Sequence, residues 1–66
     1  MQRQDNYEVN DIILLNDKEY CIIKMYKEYV VVLSNFEPVE ILVGYMKNNT
    51  FIKETNKKII EQILSK

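Results

Sequence analysis

A chain of 66 residues makes one small domain near the lower limit for independent folding, and its single cysteine excludes an internal disulfide. With no histidine, it lacks the usual general base near neutral pH and the imidazole ligands of most zinc sites. A formal charge of −1 gives no global attraction to nucleic acid or to an anionic membrane.

The first six residues, Met1 to Asn6, are polar and without periodicity, a lead-in lacking the apolar core of a signal peptide. Tyr7-Glu8-Val9 is expected to begin pairing with a neighbour, and Asn10-Asp11 bends the chain into the strand Ile12-Ile13-Leu14-Leu15. Asn16-Asp17 suits a tight turn, since both residues tolerate the left-handed region. That turn sets Leu15 opposite Lys18 and Ile13 opposite Tyr20. Tyr20 to Ser34 then reads as two β-branched and aromatic strands folded back on each other. If Lys27-Glu28 is the connection, Tyr26 faces Tyr29, Lys24 faces Val31 and Ile22 faces Leu33. Lys-Glu is a poor sequence for a type I′ or II′ turn.

Asn35-Phe36-Glu37-Pro38 interrupts the sheet, because proline removes a ladder donor and restricts the residue before it. The run Val39 to Met46 alternates as a fourth strand. Its Gly44, the only glycine, marks a bulge, a sharp bend or a close backbone approach. Asn48-Asn49 suits a further turn, and Phe51-Ile52-Lys53 makes a short fifth strand. Past Lys53 the period changes. Ile59, Ile60, Ile63 and Leu64 form one stripe of a helix, with Thr55 or Asn56 as N-cap and Lys57, Lys58, Glu61 and Gln62 on the other side.

The expected architecture is a single domain over 1–66, with a lead-in over 1–6, a β meander over 7–54 and a helix over 55–65. The Val-Asn-Asp-Ile-Ile entry at residues 9–13 and the Leu-Asn-Asp-Lys-Glu-Tyr turn at 15–20 resemble those of small SH3-like barrels. Many such modules enter their first strand through Val-Gly-Asp, and here Asn10 stands at the glycine position. The resemblance covers roughly residues 7–54. The fold class is therefore mainly β: a five-stranded antiparallel SH3-like barrel or strongly bent sheet with one C-terminal helix.

Side chains alternate across a strand, so the pairing above sorts the strands into two faces. Ile12, Leu14, Cys21, Ile23, Met25, Val30, Val32 and Ser34 share a dry, almost wholly apolar face. Ile13, Leu15, Tyr20, Ile22, Lys24, Tyr26, Tyr29, Val31 and Leu33 share a face dressed with tyrosines. Both are apolar, whereas a sheet with one solvated face should be polar at alternate positions. One short helix cannot hide the surplus. The pattern thus points to a non-catalytic protein-interaction module, either self-associating as a homodimer or binding a host protein, with Tyr26, Tyr29 and Val31 as its interface. The alternative is a weak single-stranded DNA or RNA binder that stacks bases on a face of Tyr20, Lys24, Tyr26, Lys27 and Tyr29.

Enzymatic activity is not expected. The ten acids are scattered over turns and strand ends, with no metal-loop spacing and no Gly-rich cradle. No cofactor and no small-molecule substrate is implied. Cys21, inside an apolar strand, reads as a core thiol. No apolar run is long enough to span a bilayer, so the expected setting is cytoplasmic. A bias toward Ile, Lys, Asn and Tyr, with no alanine, fits an AT-rich genome and suggests an accessory factor of a phage or mobile element.

Overall fold

The computed structural model describes residues 7–65, so the polar lead-in over 1–6 lies outside them. The chain forms β1 (Ile12–Leu15), β2 (Lys18–Met25), β3 (Val30–Ser34), β4 (Ile41–Lys47), β5 (Thr50–Lys53) and α1 (Lys57–Leu64). The five strands make one antiparallel sheet, each pairing with the next in chain order, and the sheet curls into a half-barrel. Of the two forms expected, this is the strongly bent sheet: β1 and β5 are its two edges. Tyr7 to Val9 does not join it as a strand.

Two asparagine-containing turns set the curl. Asn16 and Asp17 take φ of 55° and 65°, and Asn48 and Asn49 take 54° and 63°. Paired positive φ values are the type I′ geometry whose twist matches that of the flanking strands. The first turn gives the expected register, Leu15 opposite Lys18 and Ile13 opposite Tyr20. Asn10, at the position where the barrel signature carries glycine, has φ 83°. A short amide side chain tolerates that conformation better than most, so the substitution keeps the bend.

The hairpin between β2 and β3 departs from the expected register halfway along. Tyr26 N–H donates to the Tyr29 carbonyl at 2.7 Å, and Lys24 opposes Val31 as expected. Beyond that point Ile22 opposes Val32 rather than Leu33, because Ile23 is an extra residue, a β-bulge. One inserted residue reverses the facing of everything on one side of it. Tyr20 and Ile22 therefore point into the barrel with Val30 and Val32, while Tyr26, Tyr29 and Val31 lie on the outside. The two-face assignment is corrected accordingly: Ile12, Leu14, Cys21 and Leu33 lie on the outer surface, and the tyrosines are divided between the two sides.

Two apolar clusters result. Inside the curl, Ile13, Tyr20, Ile22, Val30, Val32 and Phe51 are buried, with Leu15, Phe36, Leu42 and Met46 packed around them. On the outside, Val31 and Val43 are buried by Ile63 of α1, with Ile59, Ile60, Tyr26 and Tyr29 packed against them. The helix starts where the sequence indicates: Asn56 caps it, its side chain accepting the N–H groups of Lys58 at 2.9 Å and Ile59 at 3.4 Å. Glu54 fixes the entry, accepting the Asn56 N–H on one carboxylate oxygen at 3.0 Å and the Tyr29 hydroxyl on the other at 3.3 Å. At the far end the Tyr26 hydroxyl donates to the Ile63 carbonyl at 3.5 Å. Glu54 N–H continues the β5 ladder to the Val43 carbonyl, so the chain leaves the sheet at the end of β5 and α1 runs from there to the Tyr26 hydroxyl beyond β2.

Candidate interaction surface

A helix of eight residues, about 12 Å long, covers only part of the outer face. It lies over Val31 and Val43. Two residues further along the strands, the ladder places Ile12 opposite Cys21, Cys21 opposite Leu33, and Leu33 opposite Ile41. This is a row of apolar side chains across β1 to β4, about 14 Å long at ordinary strand spacing. Leu14, opposite Glu19, and Val39, two residues before Ile41, extend the row on the side away from the helix. The strip is open to solvent: Leu14 is 67% exposed, Val39 63%, Ile41 52% and Ile12 51%. The bulged Ile23 adds a further exposed side chain beside it.

The α1 helix forms one wall of this strip. Ile59, Gln62 and Ile63 line the cleft toward Tyr26 and Tyr29. At 100° per residue, Ile60 and Leu64 then lie on the opposite flank of the helix from Gln62; Ile60 packs against the Val31 and Val43 cluster, and Leu64 is exposed. An apolar floor beside an apolar wall is the surface pattern of a docking site rather than of a free face.

The residues singled out from sequence fall elsewhere. Val31, one of the three residues expected at the interface, is 1% exposed beneath α1 and cannot meet a partner. Tyr26 and Tyr29 are half-buried at the other margin of the helix, with Tyr45 edge-on to Tyr29 at 6.2 Å between ring centroids. The stacking face expected for nucleic acid is also divided. Tyr20 lies inside the barrel at 4% exposure, edge-on to Phe36, with its hydroxyl on Glu40 at 3.2 Å. Lys24 and Lys27 are exposed on the outside with Tyr26 and Tyr29. The one cysteine, Cys21, sits half-buried in the middle of the outer strip rather than in the core, its thiol directed to the Ile22 carbonyl at 3.8 Å. The sequence signal that could have located the strip was the run of exposed-edge apolar residues, Ile12, Leu14, Val39 and Ile41, once the bulge was known.

Two phenols carry an electrostatic signature of their positions. Burial raises the Tyr20 pKa above its ordinary value, and the hydrogen bond and charge of Glu40 add to the effect. The Tyr29 pKa is raised by burial first, then by the charge and hydrogen bond of Glu54, with smaller contributions from Glu28 and Tyr45. A group with a higher pKa folded than unfolded keeps its full contribution below the unfolded value, about 10 for tyrosine, and loses it as pH rises through the folded value. The melting temperature is therefore expected to fall on the alkaline side of about pH 10, and Tyr29→Phe should flatten that fall. Melts across the alkaline range, read together with tyrosinate absorbance, check it. A melting temperature independent of pH while both phenols ionise would contradict the placement.

Among the described residues no three His, Cys, Asp or Glu side chains come together as metal ligands, and no helix is long and apolar enough to cross a membrane. No family model, curated protein or solved structure matches the chain.

Proposed function

We propose that this protein is a non-catalytic protein-interaction module whose docking surface is the outer strip from Ile12 to Ile41, walled by α1. The observation that carries the reading is the apolar row left uncovered beside a helix that covers its neighbour. Exposed apolar patches that are contiguous, rather than scattered, mark association sites. The central position of Cys21, with Leu33 half-buried on one side and Ile12 and Ile41 exposed at the ends, gives the strip the gradation of an interface core and its margin. The non-catalytic part of the reading is supported by a chain without histidine. Its partner is a host protein or a second copy, in a cytoplasmic setting, and the composition fits an accessory factor from a phage or mobile element.

The test is the double variant Val39→Lys, Ile41→Lys. Both side chains are exposed, so stability should change by no more than about 0.5 kcal/mol per site. Sedimentation of the pure protein and affinity capture from the source cell extract should each be run beside the wild type. A complex present with the wild type and lost with the variant is the expected result; the same assembly with both proteins sinks the reading. Micromolar binding of a single-stranded oligonucleotide at physiological salt, abolished by Lys24→Glu with Lys27→Glu, would replace it with the nucleic-acid alternative.

A further inference from the structure

The half-barrel leaves a seam between its two edges, and the direction of the strands on either side of that seam is informative. Five strands in an antiparallel meander alternate in direction, so β1 and β5 run the same way. They cannot close on each other with antiparallel bonds. One further strand, running opposite to both, can bond both edges in the antiparallel pattern.

The backbone groups for such a strand are in place. Two-residue turns are closed by hydrogen-bonded pairs, Leu15 with Lys18 and Lys47 with Thr50, and the bonded pairs recur at every second residue. The bonds Ile22 N–H to the Asp11 carbonyl and Glu54 N–H to the Val43 carbonyl lie on that alternation. It follows that Ile12 and Leu14 on β1, and Phe51 and Lys53 on β5, direct their N–H and carbonyl groups into the seam. The exposed edge of β1 carries no proline, lysine or bulge, the devices that usually discourage pairing.

Space and charge fit one strand of a particular kind. A groove of about 560 Å³ runs along β1, walled on the far side by Met46, Asn49 and Phe51, with Tyr7 at one end. A strand in a sheet takes about 4.8 Å by 10 Å in section and 3.4 Å per residue, or roughly 160 Å³ for each residue. The groove thus has room for about three or four residues, the length of β1 itself. No charged residue lines it, Ile13, Leu15 and Phe51 face its inner side, and amides stand at its rim.

We propose that the seam between β1 and β5 takes up one extended, uncharged segment of another protein as a sixth strand, antiparallel to both edges, and so completes the barrel. The guest presents apolar side chains inward at alternate positions, onto Leu15 and Phe51, and its main chain supplies the bonds. A second copy of this chain suits the seam less well, because β1 of that copy would bring β2 with it, into the space walled by Asn49 and Phe51. The proposal rests on the interaction reading only in assigning the chain a protein partner; the two surfaces meet along β1, where Ile12 and Leu14 belong to the strip by their side chains and to the seam by their main chain.

The experiment uses a capped synthetic peptide, Ser-Val-Thr-Val-Thr-Val-Ser, and the same peptide N-methylated at each of its five central residues, which blocks pairing along both of its edges. Amide hydrogen exchange of the full chain is followed residue by residue. With the unmodified peptide at saturation, exchange at Ile12, Leu14, Phe51 and Lys53 should slow at least tenfold, and the N-methylated peptide should have no effect. Protection of β1 without β5, protection by both peptides, or none at all would each overturn the proposal. Protection without peptide that grows with protein concentration would assign the seam to a second copy instead, and overturns it too. The Val39→Lys, Ile41→Lys variant, altered on the strip and intact at the seam, should bind the peptide as the wild type does. If the peptide fails while that variant still loses its complex, the seam proposal falls and the outer docking surface stands; the reverse result separates them the other way.

Discussion

Ending the chain after Thr55 is expected to unfold the whole domain. The residues removed include Ile63, buried on Val31 and Val43, and the partly buried Ile59 and Ile60. Fully burying a side chain of this size stabilises by about 1.5–3 kcal/mol, so one buried and two half-buried isoleucines contribute on the order of 3–6 kcal/mol. A single core of this size rarely supplies more than roughly 3–5 kcal/mol in total. Loss of the helix also removes the carbonyl that accepts the Tyr26 hydroxyl and the backbone N–H that holds one oxygen of Glu54. Residues 1–55 should therefore give no cooperative melt and should aggregate through the uncovered valines. Circular dichroism and thermal melting of the fragment decide it. Cooperative melting near the wild-type temperature would mean that the cluster inside the curl sustains the sheet alone, and that α1 serves the partner rather than the fold.

What could be read from the chain, and what could not, divides along the range of the interactions concerned. The turns were legible because Asn16-Asp17 and Asn48-Asn49 specify positive φ by their own chemistry. The helix was legible because its stripe and its asparagine cap are local. Strand number and antiparallel order followed from those signals. The facing of the side chains did not. Counting outward from Lys27-Glu28 gives the correct partners for Lys24 and Met25, then fails at Ile23, since nothing in Tyr-Cys-Ile-Ile-Lys distinguishes a bulged isoleucine from a paired one. Neither Lys27 nor Glu28 takes positive φ, so this turn lacks the twist of the other two, and the bulge supplies extra twist within the same hairpin. Because both faces of β1 and β2 are apolar, hydrophobicity gave no independent check on the phase. The surplus of apolar surface was evident from the sequence, but its place was not: Tyr26, Tyr29 and Val31 belong to the half of the outer face that α1 covers, and Ile12, Leu14 and Ile41 to the half it leaves open.

Gly44→Val is expected to prevent folding, and Gly44→Ala to weaken it measurably. Gly44 sits in β4, opposite Val30 on one side and Lys53 on the other, and is buried. Its φ is not positive, so backbone freedom is not what the position requires. It requires room. A Cβ there would lie 2.5 Å from Phe51 Cζ and 2.8 Å from Cε1, and would collide more severely with the Ile52 carbonyl oxygen. Neither neighbour gives way easily: Phe51 belongs to the cluster inside the curl, and Ile52 is paired with Tyr45 in the ladder between β4 and β5. Overpacking of this kind costs about 1–3 kcal/mol for small additions, which for alanine already approaches the margin of so small a domain. Valine adds two methyl groups to the same collision and exceeds it. Phe51→Leu combined with Gly44→Ala separates the two contacts. If the ring is the main obstacle, the double variant recovers more stability than the lost ring contacts remove; if the carbonyl is, it is less stable than either single variant. Thermal melts of the three proteins check this, and a Gly44→Ala midpoint equal to the wild type would show that β5 can shift away from β4 without cost.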